Sequence, residues 1–224
     1  LLRNGECEVD SPDKLTGSTL LHICAHSDSV EVADILIAAG ANVNYVNKNG
    51  ECPLHWAASN DSAKTAQLLL DFGAEIETVD DSGATALLRT AASGSPQVLA
   101  VLLSRGGDAN STDYDGFNCV DLLEQCLAEE VEPESNIRAS EGALATAMLM
   151  LRHISSSSSR EGEAGSFEDH AAEQRRLNLT QRLQKAIERR VAMRGNTDAS
   201  EQSEALSIRD ETVATAARPA TSTP

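Results

Sequence analysis

The sequence predicts an all-α solenoid of stacked helix-turn-helix units with β-hairpin-like finger loops. A largely disordered tail holding one basic amphipathic helix is expected to follow. Three observations predict this. Gly17, Gly50, Gly83 and Gly116 recur at an interval of 33 residues, and Gly40, Gly73 and Gly106 keep the same step. A fixed period of that length is one supersecondary unit repeated, with a core shared between neighbours. Aromatics make up 3% of the 224 residues, so the core must be Leu, Ile, Val and Ala, which suits small helices packed closely. Charge is also divided: residues 1–154 hold 8 Lys/Arg against 24 Asp/Glu, a net of −16, whereas 175–194 carries seven basic residues and one acidic.

The chain opens on LLRNGECEVD, which resembles the end of a repeat, so a partial unit is expected at 1–10 and the sequence reads as a fragment. Three full units follow at 17–49, 50–82 and 83–115. Four places after each glycine stands an apolar residue, Leu21, Leu54, Leu87 and then Val120. Ala25, Ala58 and Ala91 follow one helical turn later. The triplets Ile35-Leu36-Ile37, Leu68-Leu69-Leu70 and Val101-Leu102-Leu103 come next. This spacing gives a short first helix, a tight turn, a longer second helix and a loop. Gly40, Gly73 and Gly106 sit where a helix must end in a left-handed residue. Asp28, Asp61 and Gly94 occupy the turn between the helices, and Asp tolerates the left-handed conformation better than most residues.

The fourth unit, 116–154, is degraded. Residues 117–128 suit a first helix, then the acidic stretch EEVEPESN intervenes with Pro133, and ALATAMLMLRHI (143–154) arrives later than the period demands. It reads either as a C-terminal cap with an insertion or as an independent helix covering the open end of the array.

The second unit carries Cys52-Pro53-Leu54-His55-Trp56-Ala57-Ala58, and the first carries Thr19-Leu20-Leu21-His22-Ile23-Cys24-Ala25. With Leu69-Leu70-Asp71-Phe72-Gly73-Ala74, these runs resemble the ankyrin repeat family, whose signature is Thr-Pro-Leu-His-x-Ala-Ala. The third unit has Leu88 in place of the His and the fourth has Asp121. The resemblance covers residues 1 to 120 and extends weakly to 154. It implies that His22 and His55 bond backbone groups and brace the turn. It also implies a protein-binding scaffold whose partners lie along the concave face made by finger tips and first helices. Carried onto this chain, the partner-binding positions are Asn47, Lys48 and Asn49, then Asp80, Asp81 and Ser82, then Asp113, Tyr114 and Asp115. The first-helix residues Ser59, Asn60, Arg89 and Ser93 join them. Tyr114 is the aromatic expected to be exposed, and aromatics are enriched at binding hot spots. The acidic balance points to a protein partner with a basic or mixed-charge segment. A merely solvated acidic face is the plainer reading of the same residues.

Other chemistry is weakly signalled. His22, Cys24 and His26 crowd one helix, so a zinc site completed by Cys52 or His55 competes with the structural reading. Asp80-Asp81 and Asp113/Asp115 are expected in exposed fingers, where solvated carboxylates keep ordinary pKa values and make poor acids. No phosphate loop, nucleophile elbow or metal-helix motif is present, so neither an enzyme nor a cofactor is expected. An acidic array repels nucleic acid, and no stretch is long and apolar enough to span a membrane. Five cysteines without framework spacing suggest free thiols in a reducing, cytoplasmic compartment, with a nuclear one as the alternative. Three glycosylation sequons, at Asn60, Asn110 and Asn178, are short enough to arise by chance. Nothing points to an oligomer, and a monomer is the expectation.

After a Ser/Gly/Glu linker at 155–166, residues 167–194 read as a basic helix with Leu179, Leu183, Ile187 and Val191 every four residues. Such a helix suits a calmodulin-type partner, an anionic membrane or another helix. Gln181, Lys185 and Arg190 have the spacing of a calmodulin-binding IQ motif, although Thr180 replaces its apolar lead residue. The tail at 195–224 reads as disordered. A further alternative is a regulatory or targeting fragment of a larger enzyme or channel. The charge asymmetry also suggests that the basic helix folds back on the acidic array, a contact that salt would weaken. Deleting 167–194 is then expected to raise affinity for a basic peptide at low salt, and unchanged affinity would exclude the contact.

Overall fold

The computed structural model describes residues 8–128, 137–157 and 167–193. Residues 1–7, 129–136, 158–166 and 194–224 lie outside the described residues, and with them most of the expected partial first unit, the expected acidic insertion, most of the expected linker and the expected disordered tail. Helices pair in chain order: α1 (Leu20–His26) with α2 (Val30–Ala38), α3 (Pro53–Ser59) with α4 (Ala63–Asp71), and α5 (Ala86–Ser93) with α6 (Pro96–Ser104). Then come α7 (Cys119–Ala128), α8 (Ile137–Ser157) and α9 (Phe167–Met193). The first helices stack on one another and the second helices on one another, and fingers join each pair to the next. The described residues contain no strand, only isolated bridges at Val79–Thr85 and Thr112–Asn118 within two fingers. Two compact units result, Leu1–Thr146 and Ala147–Pro224, with the boundary inside α8.

The apolar register explains the first unit. Leu21, Leu54, Leu87 and Val120 are buried in one row, and Ala25, Ala58 and Ala91 are wholly buried where first helices meet. Small residues there allow the close approach that a 33-residue unit needs. Of each second-helix triplet only the middle member, Leu36, Leu69 or Leu102, is buried throughout. Truncating such a leucine to alanine typically costs about 2–5 kcal/mol. Each second helix ends with a left-handed glycine, and the next N–H reaches back to this leucine's carbonyl, as from Ala41 to Leu36 at 3.0 Å.

Leucine packing alone leaves backbone groups unpaired, and the next repeat supplies the partners. His22 Nδ1 accepts the Thr19 N–H at 3.1 Å, so its proton sits on Nε2, which donates to the Glu51 carbonyl at 3.0 Å. His55 repeats the arrangement, accepting from Cys52 at 3.1 Å and donating to Ala84 at 3.0 Å. A second link starts at the left-handed Asp residues. The Asp28 carboxylate accepts the Thr65 N–H at 2.9 Å, and the Asp61 carboxylate accepts the Gln97 and Val98 N–H groups at 2.9 and 3.0 Å. Each thereby caps the N-terminus of the next unit's second helix, a role that tolerance of left-handed backbone alone does not reveal.

Both links stop at the third junction. Leu88 replaces the histidine and Gly94 the aspartate. Asp121 keeps the local half, accepting the Asn118 N–H at 3.0 Å. α8 instead comes close here through Gly142, where a Cβ would collide with the Gly94 carbonyl oxygen. The helix expected over 143–154 thus begins earlier, at Ile137, and continues through Ser157.

In the second unit, Ala147, Met150, Leu151 and Ile154 form the buried stripe of α8. On α9 the buried residues are Thr180, Leu183, Ile187 and Arg190, while Leu179 and Val191 are only half-buried. A strict four-residue step drifts by about 40° each time on a helix of 3.6 residues per turn, so the ends of the expected row leave the face. Leu183 and Ile187, the anchors that calmodulin-type binding would use, are buried.

Burial holds both His22 and His55 below the ordinary histidine pKa, against the opposing pull of their carbonyl partners. The unfolded chain takes up protons near the ordinary value of about 6.5 and the folded chain does not. Stability is therefore present above that pH and lost as pH falls through it. His55→Leu is expected to cost about 1–3 kcal/mol at neutral pH, because Leu already fits the equivalent position at Leu88. It should also flatten the fall in melting temperature between neutral and mildly acidic pH, which thermal denaturation across that range would measure.

Candidate protein-binding surface

Each finger is built by one side chain that turns inward. Asn47, Asp80 and Asp113 donate their N–H to the carbonyls of Glu51, Ala84 and Phe117 at 2.9, 3.1 and 3.1 Å. Their side-chain oxygens accept the two N–H groups that follow: Asn49 and Glu51 on Asn47, Ser82 and Ala84 on Asp80, Asp115 and Phe117 on Asp113. An Asn or Asp can close such a turn because its oxygen reaches its own backbone two residues on. Asn47 and Asp80 are consequently buried, and Asp113 is half-buried. This corrects the expectation of exposed, solvated carboxylates: the first residue of each expected trio is a turn-builder. Lys48, Asp81 and Tyr114 are exposed beyond them, as are Asn49, Ser82 and Asp115. The first finger is one residue longer, closing from Asp13 to Ser18, and Lys48 Nζ secures it by donating to the Lys14 and Leu15 carbonyls at 2.7 and 3.2 Å.

On the first helices, Asn60 is exposed and bonds the Trp56 carbonyl at 2.8 Å, whereas Ser59 and Ser93 are half-buried. Arg89 is also half-buried and fully engaged. Its Nε and Nη2 donate to Asp80 Oδ2 at 2.8 and 2.6 Å, and Nη2 also donates to Glu51 Oε1 at 2.9 Å. Glu51 Oε2 accepts from Asn47 Nδ2 and from Trp56 Nε1, both at 3.0 Å. Glu51 and Trp56 are absent from the sequence-derived positions. Repeat arithmetic would have found them, because Trp56 and Arg89 share one register position and Glu51 and Ala84 another. Trp56 packs edge-on against His22 and His26, with centroids 5.5 and 6.0 Å apart. The network ties two fingers to two first helices.

Burial raises the Asp80 and Glu51 carboxyls, but hydrogen bonds outweigh it. Donors from Ser82, Arg89 and Ala84 hold Asp80 below the usual range, and Asn47, Trp56 and Arg89 do the same for Glu51. Two cations on this surface, Lys48 and Arg89, thus bond internal acceptors, carbonyls for Lys48 and carboxylates for Arg89. The Asp81 and Asp115 carboxylates are exposed and accept no hydrogen bond from the described residues.

Two arrangements with chemical potential resolve as structural. Cys52 Sγ lies 3.1 Å from His55 Nδ1, yet both residues are buried and burial pushes the thiol up, which disfavours the thiolate. Both ring nitrogens of His22 are committed to bonds within the fold, so it has no lone pair to offer zinc, and no group of metal-ligating side chains assembles among the described residues. The four described cysteines are free. No described helix is long and apolar enough to cross a membrane.

A family model described as ankyrin repeats, in three copies, matches residues 1–80 and 21–113. No curated protein matches the sequence.

The geometry makes Arg89 the tie between the fingers. Arg89→Met keeps much of the side-chain volume and leaves the buried Asp80 carboxylate with fewer donors. A loss of about 1–3 kcal/mol in denaturant unfolding is expected, together with a rise in the Asp80 pKa followed by carboxyl NMR. An unchanged titration would show that Ser82 and the backbone suffice.

Proposed function

Because this chain belongs to the ankyrin-repeat family, whose repeats are generally protein–protein interaction modules, we propose that it binds a basic or mixed-charge segment of a partner protein. The surface is the row of exposed finger residues together with the first-helix positions behind it. One observation carries this reading. Arg89 is paired with the Asp80 and Glu51 carboxylates, so two of the acidic groups near it are matched inside the fold, while Asp81 and Asp115 stay exposed without a partner among the described residues. Asp81 and Asp115 therefore add exposed negative charge at two fingertips to the acidic balance of the array. Tyr114, 76% exposed, adds an aromatic contact to it.

The mechanism is recognition by a pre-built surface. Asx turns, inter-finger hydrogen bonds and the Arg89 network fix the finger backbone before a partner arrives, so little ordering cost falls on binding. Complementary charge then acts mostly on the rate of encounter. In this reading the array occupies 1–154, a linker 155–166 separates it from the basic helix at 167–194, and 195–224 is a tail. Free thiols fit a reducing compartment.

Changing both Asp81 and Asp115 to Lys tests the reading with an arginine-containing peptide as probe. Association should slow by about tenfold at low salt with the melting temperature unchanged, and the difference should shrink as salt is added. Equal association rates would reject the acidic surface, and unfolding would show that these finger residues are structural.

A further inference from the structure

One contact joins the fingers, repeated three times. A fingertip residue donates its backbone N–H to the residue just before the preceding finger's glycine: Lys48 to Thr16 at 3.0 Å, Asp81 to Asn49 at 3.1 Å, Tyr114 to Ser82 at 3.0 Å. The glycine makes this approach possible. A Cβ on Gly17, Gly50 or Gly83 would meet that same backbone nitrogen at 3.2, 2.8 and 2.8 Å. Gly17 and Gly83 are buried and Gly50 is half-buried.

The last finger keeps the whole arrangement except the segment that lies on it. Gly116 has the same left-handed backbone, with φ of 84°. It is exposed, and no described atom lies within 4 Å of where its Cβ would stand. The Asp115 carbonyl, at the register of the Ser82 carbonyl, accepts no hydrogen bond from the described residues. Beside it are Tyr114 and Phe117, 76% and 45% exposed, and the exposed Asp115 carboxylate. At the register of Phe117 the preceding unit carries the buried Ala84.

We propose that this open finger edge docks an extended segment of a protein partner. The segment donates one backbone N–H to the Asp115 carbonyl, lies over Gly116 as Tyr114 lies over Gly83, and carries a basic side chain to the Asp115 carboxylate. Main-chain pairing supplies the attachment, as at other unpaired backbone edges, and the flanking side chain supplies selectivity. The two rings shield the new bond from water. This rests on the reading of the array as an interaction module, and adds the place where a partner enters and the backbone conformation it adopts.

The probe is a short unstructured Ser/Thr peptide with one central arginine, and the readout is amide NMR of the full chain. Shifts are expected to centre on 113–117. In a series of peptides each N-methylated at one position, one should lose about fivefold or more in affinity, the worth of one backbone hydrogen bond. Asp115→Asn should weaken the arginine peptide and leave a glutamine-centred peptide unchanged. If shifts fall on Trp56 or Asp81 without 113–117, or if every N-methylated peptide binds like the parent, the docking edge is overturned while the acidic-surface reading stands. If no amide shifts at all, both are overturned.

Discussion

A pair of short helices joined by tight turns cannot satisfy its own backbone, and this constraint organises the whole array. Carbonyls at the base of each finger, N–H groups at the start of each second helix and N–H groups at the fingertips all need partners from outside the unit. In the first two junctions the needs are met by three devices at one register: a neutral histidine bridging two units, an aspartate capping the next helix, and a backbone bond between fingertips. Because each device reaches a fixed distance, the unit length cannot vary. The 33-residue interval is the sequence trace of that requirement. Of these three devices the third junction keeps the fingertip bond, and α7 packs on α5 with the Cys119 and Cys126 thiols donating to α5 carbonyls.

The two glycine sets share a period but answer to different physics. Gly40, Gly73 and Gly106 have open space where a side chain would go, so their left-handed backbone alone explains them. Gly17, Gly50 and Gly83 are left-handed as well, and each also lies under the next finger. Tyr114 shows the second demand most clearly, since its ring rests where a Gly83 side chain would be.

Much of this was legible in the sequence because it is periodic. The helix pairs follow from residues recurring at fixed offsets, and the fingers and the bracing role of His22 and His55 from the ankyrin resemblance that those offsets expose. What escaped was the direction of individual side chains within a finger. Asn47 and Asp80 stand in the right loops but face inward, because a turn needs an acceptor at its start as much as a surface needs a charge at its tip. Arg89 was placed on the binding face without its bonds to Asp80, in the finger just before its helix, and to Glu51, in the preceding unit. The helix-capping task of Asp28 and Asp61 was hidden for the same reason, since its recipients lie in the following unit. The α9 stripe drifted from its predicted row because a step of four is not the helix period.

The replacement of aspartate by Gly94 bears on how the chain could have changed over time. Where a carboxylate reaches across to cap the next second helix, the connection into that helix is short: residues 60–62 before α4 and 94–95 before α6. Gly94 has no carboxylate to offer the start of α8, and the sequence between α7 and α8 runs over 129–136. An array that stops enforcing length at one corner becomes permissive to added sequence at that corner. The acidic, proline-containing stretch at 129–136 stands at the corner that this constraint does not reach.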